Sequence, residues 1–144
     1  MERKQVKMAT KIRPEISENN EYYISKEKYY ELKHFCLQYN EWREELKYLT
    51  VPLINDISDL KIDNNVLYRT TEETVIRRSE LIKKMCLISE TAQQTDAVLS
   101  HYIFLVVTGA ATFDYIRNYM KVPVSRAEFY RKYRKFFWLL SKRR

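Results

Sequence analysis

The chain has 144 residues, 45% of them hydrophobic, enough for one modest core but not for two independent domains. A single glycine and three prolines exclude a phosphate-cradling glycine loop or a succession of tight hairpins, and favour helices joined by short connections. The formal charge of +7 suits a polyanionic partner if the excess is concentrated, and serves only solubility if it is spread.

Residues 1–20 read as a flexible basic arm and linker. They are polar, interrupted by Pro14, and carry Arg3, Lys4, Lys7, Lys11 and Arg13 against Glu2 as far as Arg13. They lack the apolar stretch of a signal peptide. Ser25 caps a first helix predicted over Lys26–Leu49, where Tyr29, Leu32, Cys36, Tyr39 and Leu46 form one stripe that Phe35, Trp42 and Leu49 widen. The stretch Val51–Thr70, punctuated by Pro52, reads as a long loop or as a hinge between helical pieces.

Thr70 and Glu73 have the spacing of a capping box, opening a second helix to about Gln94 that buries Val75, Ile82, Met85, Ile88 and Ala92. Asp96 caps a third, very apolar helix over Ala97–Thr108. Its Val98, Tyr102, Ile103, Leu105 and Val106 leave little exposed face, which predicts the centre of the core. Gly109 follows where a left-handed C-cap is commonly required. A short fourth helix, Thr112–Met120, places Phe113, Ile116 and Met120 on one side. The turn Lys121–Val124 stops it at Pro123, and Ser125 with Glu128 opens a last helix to about Ser141. The expected fold is a compact all-α domain of about five helices. It comprises the arm (1–20), a helical body (21–111) and a C-terminal helix-turn-helix with its basic helix (112–144).

The charge is not spread. From Lys121 to Arg144 there are nine basic residues and one acid, Glu128, a net charge of +8; Met1–Met120 carries 17 basic and 18 acidic residues, a net charge of −1. At about 100° per residue, Phe129, Tyr133, Phe136, Phe137 and Leu140 share one face of the last helix, and Arg131, Arg134, Lys135 and Trp138 the opposite one. A short helix, a four-residue turn and a capped basic helix form the layout in which a recognition helix enters the major groove of DNA. On this reading Arg126, Arg131 and Arg134 offer paired donors to guanine edges or phosphates. Tyr130 contacts phosphate or a thymine methyl, Lys121 and Lys135 neutralise phosphate, and Ser125 stands at the entry to the helix. Trp138 and the Lys142-Arg143-Arg144 tail lie farther along the same helix.

The segment from Val122 to Leu140, with Pro123, Ser125-Arg126, Phe129-Tyr130 and then a run of Arg, Lys and Phe, resembles the C-terminal stretch of small prophage proteins from low-GC Gram-positive bacteria. It is similar to the ArpU and RinA type of phage late-gene transcriptional regulators, whose end resembles the DNA-binding region of sigma factors. The likeness is best over Thr112–Leu140, about a fifth of the chain, and implies a double-stranded DNA partner in the cytoplasm of a bacterial host.

Other chemistry finds little support. Cys36 and Cys86 lack cysteine or histidine neighbours at metal-ligand spacing and read as free thiols. His34 and His101 carry no triad or ligand pattern, and the acids Glu41, Glu44, Glu45, Glu72 and Glu73 interleave with bases as solvated helix faces. Most of the aromatic residues recur at core spacing, which leaves only Tyr130 and Trp138 as candidates to stack on bases of single-stranded nucleic acid. The expectation is therefore a non-enzymatic protein without cofactor or metal, and no run of apolar residues reaches the length of a membrane span. Its first helix has stripe enough for a homodimer interface. The competing reading is an inhibitor of a host defence nuclease that applies the same basic helix to a host protein or ribonucleoprotein, and a further one is an assembly factor.

Overall fold

A computed structural model describes residues 20–55 and 64–144. The described chain is all helical: α1 (Lys26–Leu37), α2 (Tyr39–Asn55), α3 (Asn64–Thr95), α4 (Ser100–Val107), α5 (Phe113–Asn118) and α6 (Arg126–Arg143). Residues 1–19, which carry the basic arm, and residues 56–63 of the expected loop lie outside the described residues.

The core is built on α6. Its Phe129, Phe136, Phe137 and Leu140 are fully buried, with Tyr133 nearly so, and α1, α3 and α4 pack around them. Phe137 meets Tyr29 edge-on at 5.1 Å and Tyr133 at 5.0 Å, and Phe113 of α5 lies 5.2 Å from Phe129. Ring edges directed at ring faces add to the burial of large apolar surface. The phenol oxygens of Tyr29 and Tyr133 are 3.1 Å apart in this interior, so each polar tip has a partner. Burial and then the neighbouring Tyr29 push the Tyr133 phenol far above the ordinary tyrosine range.

The expected helix Lys26–Leu49 is two helices. At Gln38 the backbone N–H turns to the carbonyl of Phe35, 3.3 Å away, and the side-chain amide donates to His34 O. The two halves take different partners, α1 on α6 and α2 on α3, and the break supplies the change of direction. The stripe itself is as expected: Tyr29, Leu32, Phe35, Cys36 and Trp42 are buried and Tyr39, Leu46 and Leu49 pack beside them. Because the core of the chain consumes this stripe, it is not available as the expected dimer interface. Helix α2 runs on through Pro52 to Asn55, and α3 starts at Asn64, so Thr70 and Glu73 lie inside a helix instead of capping one.

The buried stripe of α3 agrees with the expected one in its C-terminal half, where Ile88 and Ala92 are buried and Met85 packs beside them. Leu81, Thr91 and Thr95 are also inside, whereas the expected Val75 and Ile82 are exposed. Thr91 and Thr95 enter the core because each hydroxyl donates to the carbonyl four residues back, at 2.6 and 2.8 Å, which removes the cost of burying it. Helix α4 is not the centre of the core. It begins only at Ser100, buries Ile103 and Val107 on one side, and leaves Val98 in the preceding turn 75% exposed.

Gly109 closes α4 as expected. It sits at φ 78°, its N–H donates to Val106 O and that of Ala110 to Leu105 O, the paired bonds of a left-handed C-cap. A Cβ there would come within 3.0 Å of Leu37 Cδ2.

Phe136→Ala should lower the unfolding free energy by about 3–5 kcal/mol, measured by urea denaturation, as the central ring of the packing is lost. The cysteines give an independent check of the same core: Cys36 is buried and Cys86 exposed, so a thiol reagent should titrate one thiol in the native protein and two in denaturant.

Candidate nucleic-acid interface

Ser25 and Ser125 open α1 and α6 in the same way. The hydroxyl of Ser125 accepts the N–H of Glu128 at 3.2 Å, which sets the first turn of α6 and with it the direction of every side chain beyond. Thr112 caps α5 by accepting from Tyr115 N–H at 3.2 Å. Between them the chain turns at Lys121, whose φ of 57° is left-handed, and Val122 N–H reaches back to Ile116 O at 3.0 Å. The segment between α5, only six residues long, and α6 is therefore an ordered turn.

The outer half of α6 carries most of the expected residues. Arg126 is exposed and stacks its guanidinium over Phe113 at 5.2 Å and Tyr130 at 5.4 Å, with Asp114 3.9 Å away. Tyr130 is half-buried against Phe113, Phe129 and Tyr133, so its ring holds Arg126 in place as much as it faces solvent. Arg131 lies between Glu128 at 3.5 Å and Glu21 at 3.8 Å. Arg134 is half-buried and its Nε is shielded without a hydrogen-bond partner. Burial, followed by the charge of Arg131, lowers its pKa from the ordinary arginine value. Lys135 has no ion-pair partner among the described residues, and the Lys142 ammonium lies 4.5 Å from the Trp138 ring centre. Lys121 and Ser125 are both exposed in the turn.

Three of the nine C-terminal cations are spent elsewhere. Arg144 pairs with Glu31 at 2.7 Å and stacks over Phe35, tying the end of α6 to α1, and Arg143 donates to Thr91 Oγ1 at 3.3 Å. Burial works to raise the Glu31 carboxyl, but the hydrogen bonds and charges of Arg144 and Lys28 outweigh it and hold the pKa below the ordinary value. Lys132 meets Asp96 at 3.2 Å, with the two side chains only 17% and 23% exposed. Asp96 also accepts the N–H groups of Val98 and Leu99 through its other oxygen, so one carboxylate starts the α4 turn and fastens α6 to it. Burial again works to raise this carboxyl, and the Leu99 amide, Lys132 and the Val98 amide bring it below the usual aspartate value. Asp96 is visible in the sequence as a cap; its pairing with a residue 36 positions away is not.

The sequence reading also passes over four exposed or covering aromatic and acidic residues. Tyr115 and Tyr119 project from α5, with ring centres 5.3 Å apart. Tyr22 covers Trp138 at 5.5 Å, beside Glu21 on Arg131. The apolar cluster Tyr22-Tyr23-Ile24 just before the Ser25 cap is the available signal, since a buried residue at that place staples the chain to the first helical turn. His34 and His101 are exposed, and no group of three His, Cys, Asp or Glu side chains among the described residues could hold a metal ion. No described helix is long and apolar enough to cross a membrane.

No known protein family, curated protein sequence or solved structure matches this chain.

Asp96→Ala should cost about 1–2 kcal/mol at pH 7, through lost capping and the lost ion pair. Because the folded carboxyl titrates below the unfolded one, its contribution is complete above about pH 5 and disappears as the pH falls through the folded value. The difference in stability between wild type and variant, followed by denaturant titration from pH 7 to pH 2, should therefore narrow in acid. A difference that stays constant would show that the carboxylate charge contributes nothing.

Proposed function

We propose that this protein binds double-stranded DNA through the outer half of α6 and the turn before it, as a phage-derived transcriptional regulator. The observation that carries the reading is the segregation of charge on one helix. The aromatic face of α6 is locked into the core, and Arg126, Arg131, Arg134, Lys135 and Lys142 are left on the other half, with Lys121 in the adjoining turn. A solvated face normally mixes acids with bases, and here the one acid of the segment is Glu128 in the first turn of the helix.

Lys121 adds a second argument. A left-handed conformation costs a residue with a Cβ about 1–2 kcal/mol and costs glycine nothing, yet the chain places a cation there. Strain held at an exposed charged residue fits a contact made at that position. Arg126, held over the adjacent Phe113 and Tyr130 rings, is restricted in the direction of its donors, whereas Lys135 and Lys142 supply charge to the phosphate backbone without geometric demand. The resemblance of Val122–Leu140 to prophage regulators agrees with this assignment and suggests a sequence-specific operator as the target.

The test is duplex binding as a function of salt. Wild type should bind a short duplex with a steep loss of affinity as salt rises, and replacing Arg131, Arg134 and Lys135 together by Ala should weaken binding at least about tenfold and flatten the slope of log K against log salt by about two to three. Lys121→Gly should leave the melting temperature unchanged or raised while weakening binding. Unchanged affinity and slope in these variants would refute the assignment.

A further inference from the structure

Residues Asn20 to Ser25 cross the outer face of α6 as a short strap. It opens on a tight turn, in which the Asn20 side-chain carbonyl accepts Tyr22 N–H at 2.9 Å and the backbone carbonyl accepts Tyr23 N–H at 3.1 Å, and it is anchored at its other end, where Ile24 is buried in the core and Ser25 caps α1. Between the turn and this anchor two side chains reach α6. Glu21 places a carboxylate oxygen 3.8 Å from Arg131, and Tyr22 lies against Trp138 at 5.5 Å with the Arg131 guanidinium 5.9 Å above its ring.

These contacts fall on the surface to which we assign DNA binding, and the inference rests on that reading. A carboxylate on an arginine occupies the position of a phosphate oxygen, and a ring tilted against an indole covers the face that a sugar or base would contact. We propose that the Asn20–Ser25 strap is an intramolecular competitor: Glu21 and Tyr22 hold Arg131 and Trp138 in the free protein, and a nucleic-acid backbone displaces them on binding.

The strength of the contacts suits a part that leaves. Glu21 is 64% exposed and Arg131 43%, so the pair is screened by water and salt, in contrast to the half-enclosed Lys132–Asp96 pair on the structural side of the same helix. The buried Ile24 keeps the strap tethered after Glu21 and Tyr22 are released, so that it returns when the polyanion leaves. The charged groups facing Arg131 are Glu21 from the strap, Glu128 one turn earlier and Arg134 one turn later. Displacing Glu21 removes one of the two acids that oppose an incoming phosphate.

The experiment compares full-length wild type, Glu21→Gln, and Glu21→Gln combined with Tyr22→Ala for binding to a short fluorescent duplex of random sequence at low salt. Glu44→Gln, which alters an exposed acid of α2 paired with Lys47 of its own helix, is the control. Releasing the strap should tighten binding about three- to tenfold in the double variant and less in Glu21→Gln, with Glu44→Gln equal to wild type. In a Trp42→Phe background, which leaves Trp138 as the single indole, acrylamide should quench the double variant more than wild type without DNA. Melting curves show whether each variant is folded, and Glu21→Gln keeps the Tyr22 packing should the double variant fail. If wild type binds duplex and the variants bind equally well or more weakly, the strap is ordinary packing or part of the interface, and the competitor proposal is wrong while the DNA reading stands. If no form binds duplex, both fall.

Discussion

The burial of one helix face determines the rest of this molecule. Phe129, Tyr133, Phe136, Phe137 and Leu140, among them the three largest fully buried side chains of the described residues, stand in the middle of the domain, where α1, α3 and α4 close around them. Each such side chain contributes about 1.5–3 kcal/mol on burial, so rotating α6 about its axis would forfeit most of the core. The opposite half is thereby fixed in solvent, and the cations it carries are held in one orientation by the packing beneath them. A helix at the centre of the core is an unusual place for an interface, but it is a rigid one: the contact side chains inherit the precision of the interior.

The basic residues of the segment then divide by position. Lys132, Arg143 and Arg144 lie toward α3, α4 and α1 and find Asp96, Thr91 and Glu31. Those on the outer half face rings as well as acids: Phe113, Tyr130 and Asp114 for Arg126, Tyr22, Glu21 and Glu128 for Arg131, Trp138 for Lys142. Rings orient a cation without neutralising it, so the positive field of this face is reduced only where these exposed acids lie. The net charge of the C-terminal segment therefore overstates its interface, because about a third of its cations hold the fold together.

What the sequence discloses and what it hides follow from the reach of each interaction. Caps and turns are local, and Ser25, Gly109 and Ser125 act where their spacing indicates; Asp96 accepts the N–H groups of Val98 and Leu99, although α4 begins only at Ser100. The period of α6 is legible because its apolar residues are aromatic and its polar ones charged. In α3 the signal holds for Met85, Ile88 and Ala92 and fails elsewhere: Thr91 and Thr95 are core residues whose hydroxyls are satisfied by their own helix, and Val75 and Ile82 have the right chemistry but are exposed. The break at Gln38 has no proline or glycine to announce it, since it arises from the different partners of α1 and α2. The pairings of Lys132 and Arg144 join distant positions, and only the fold brings them together.

A nuclear magnetic resonance titration of the full chain with a short DNA duplex at low salt tests the central claim most directly. The amide and side-chain signals of Lys121, Ser125, Arg126, Arg131, Arg134 and Lys135 and the Trp138 indole should shift together and return as salt is added, while those of Ile88, Ile103 and Phe136 stay in place. Shifts centred on α2 and α3, or no shifts at any duplex concentration, would contradict the assignment of the outer half of α6 as the DNA-binding surface.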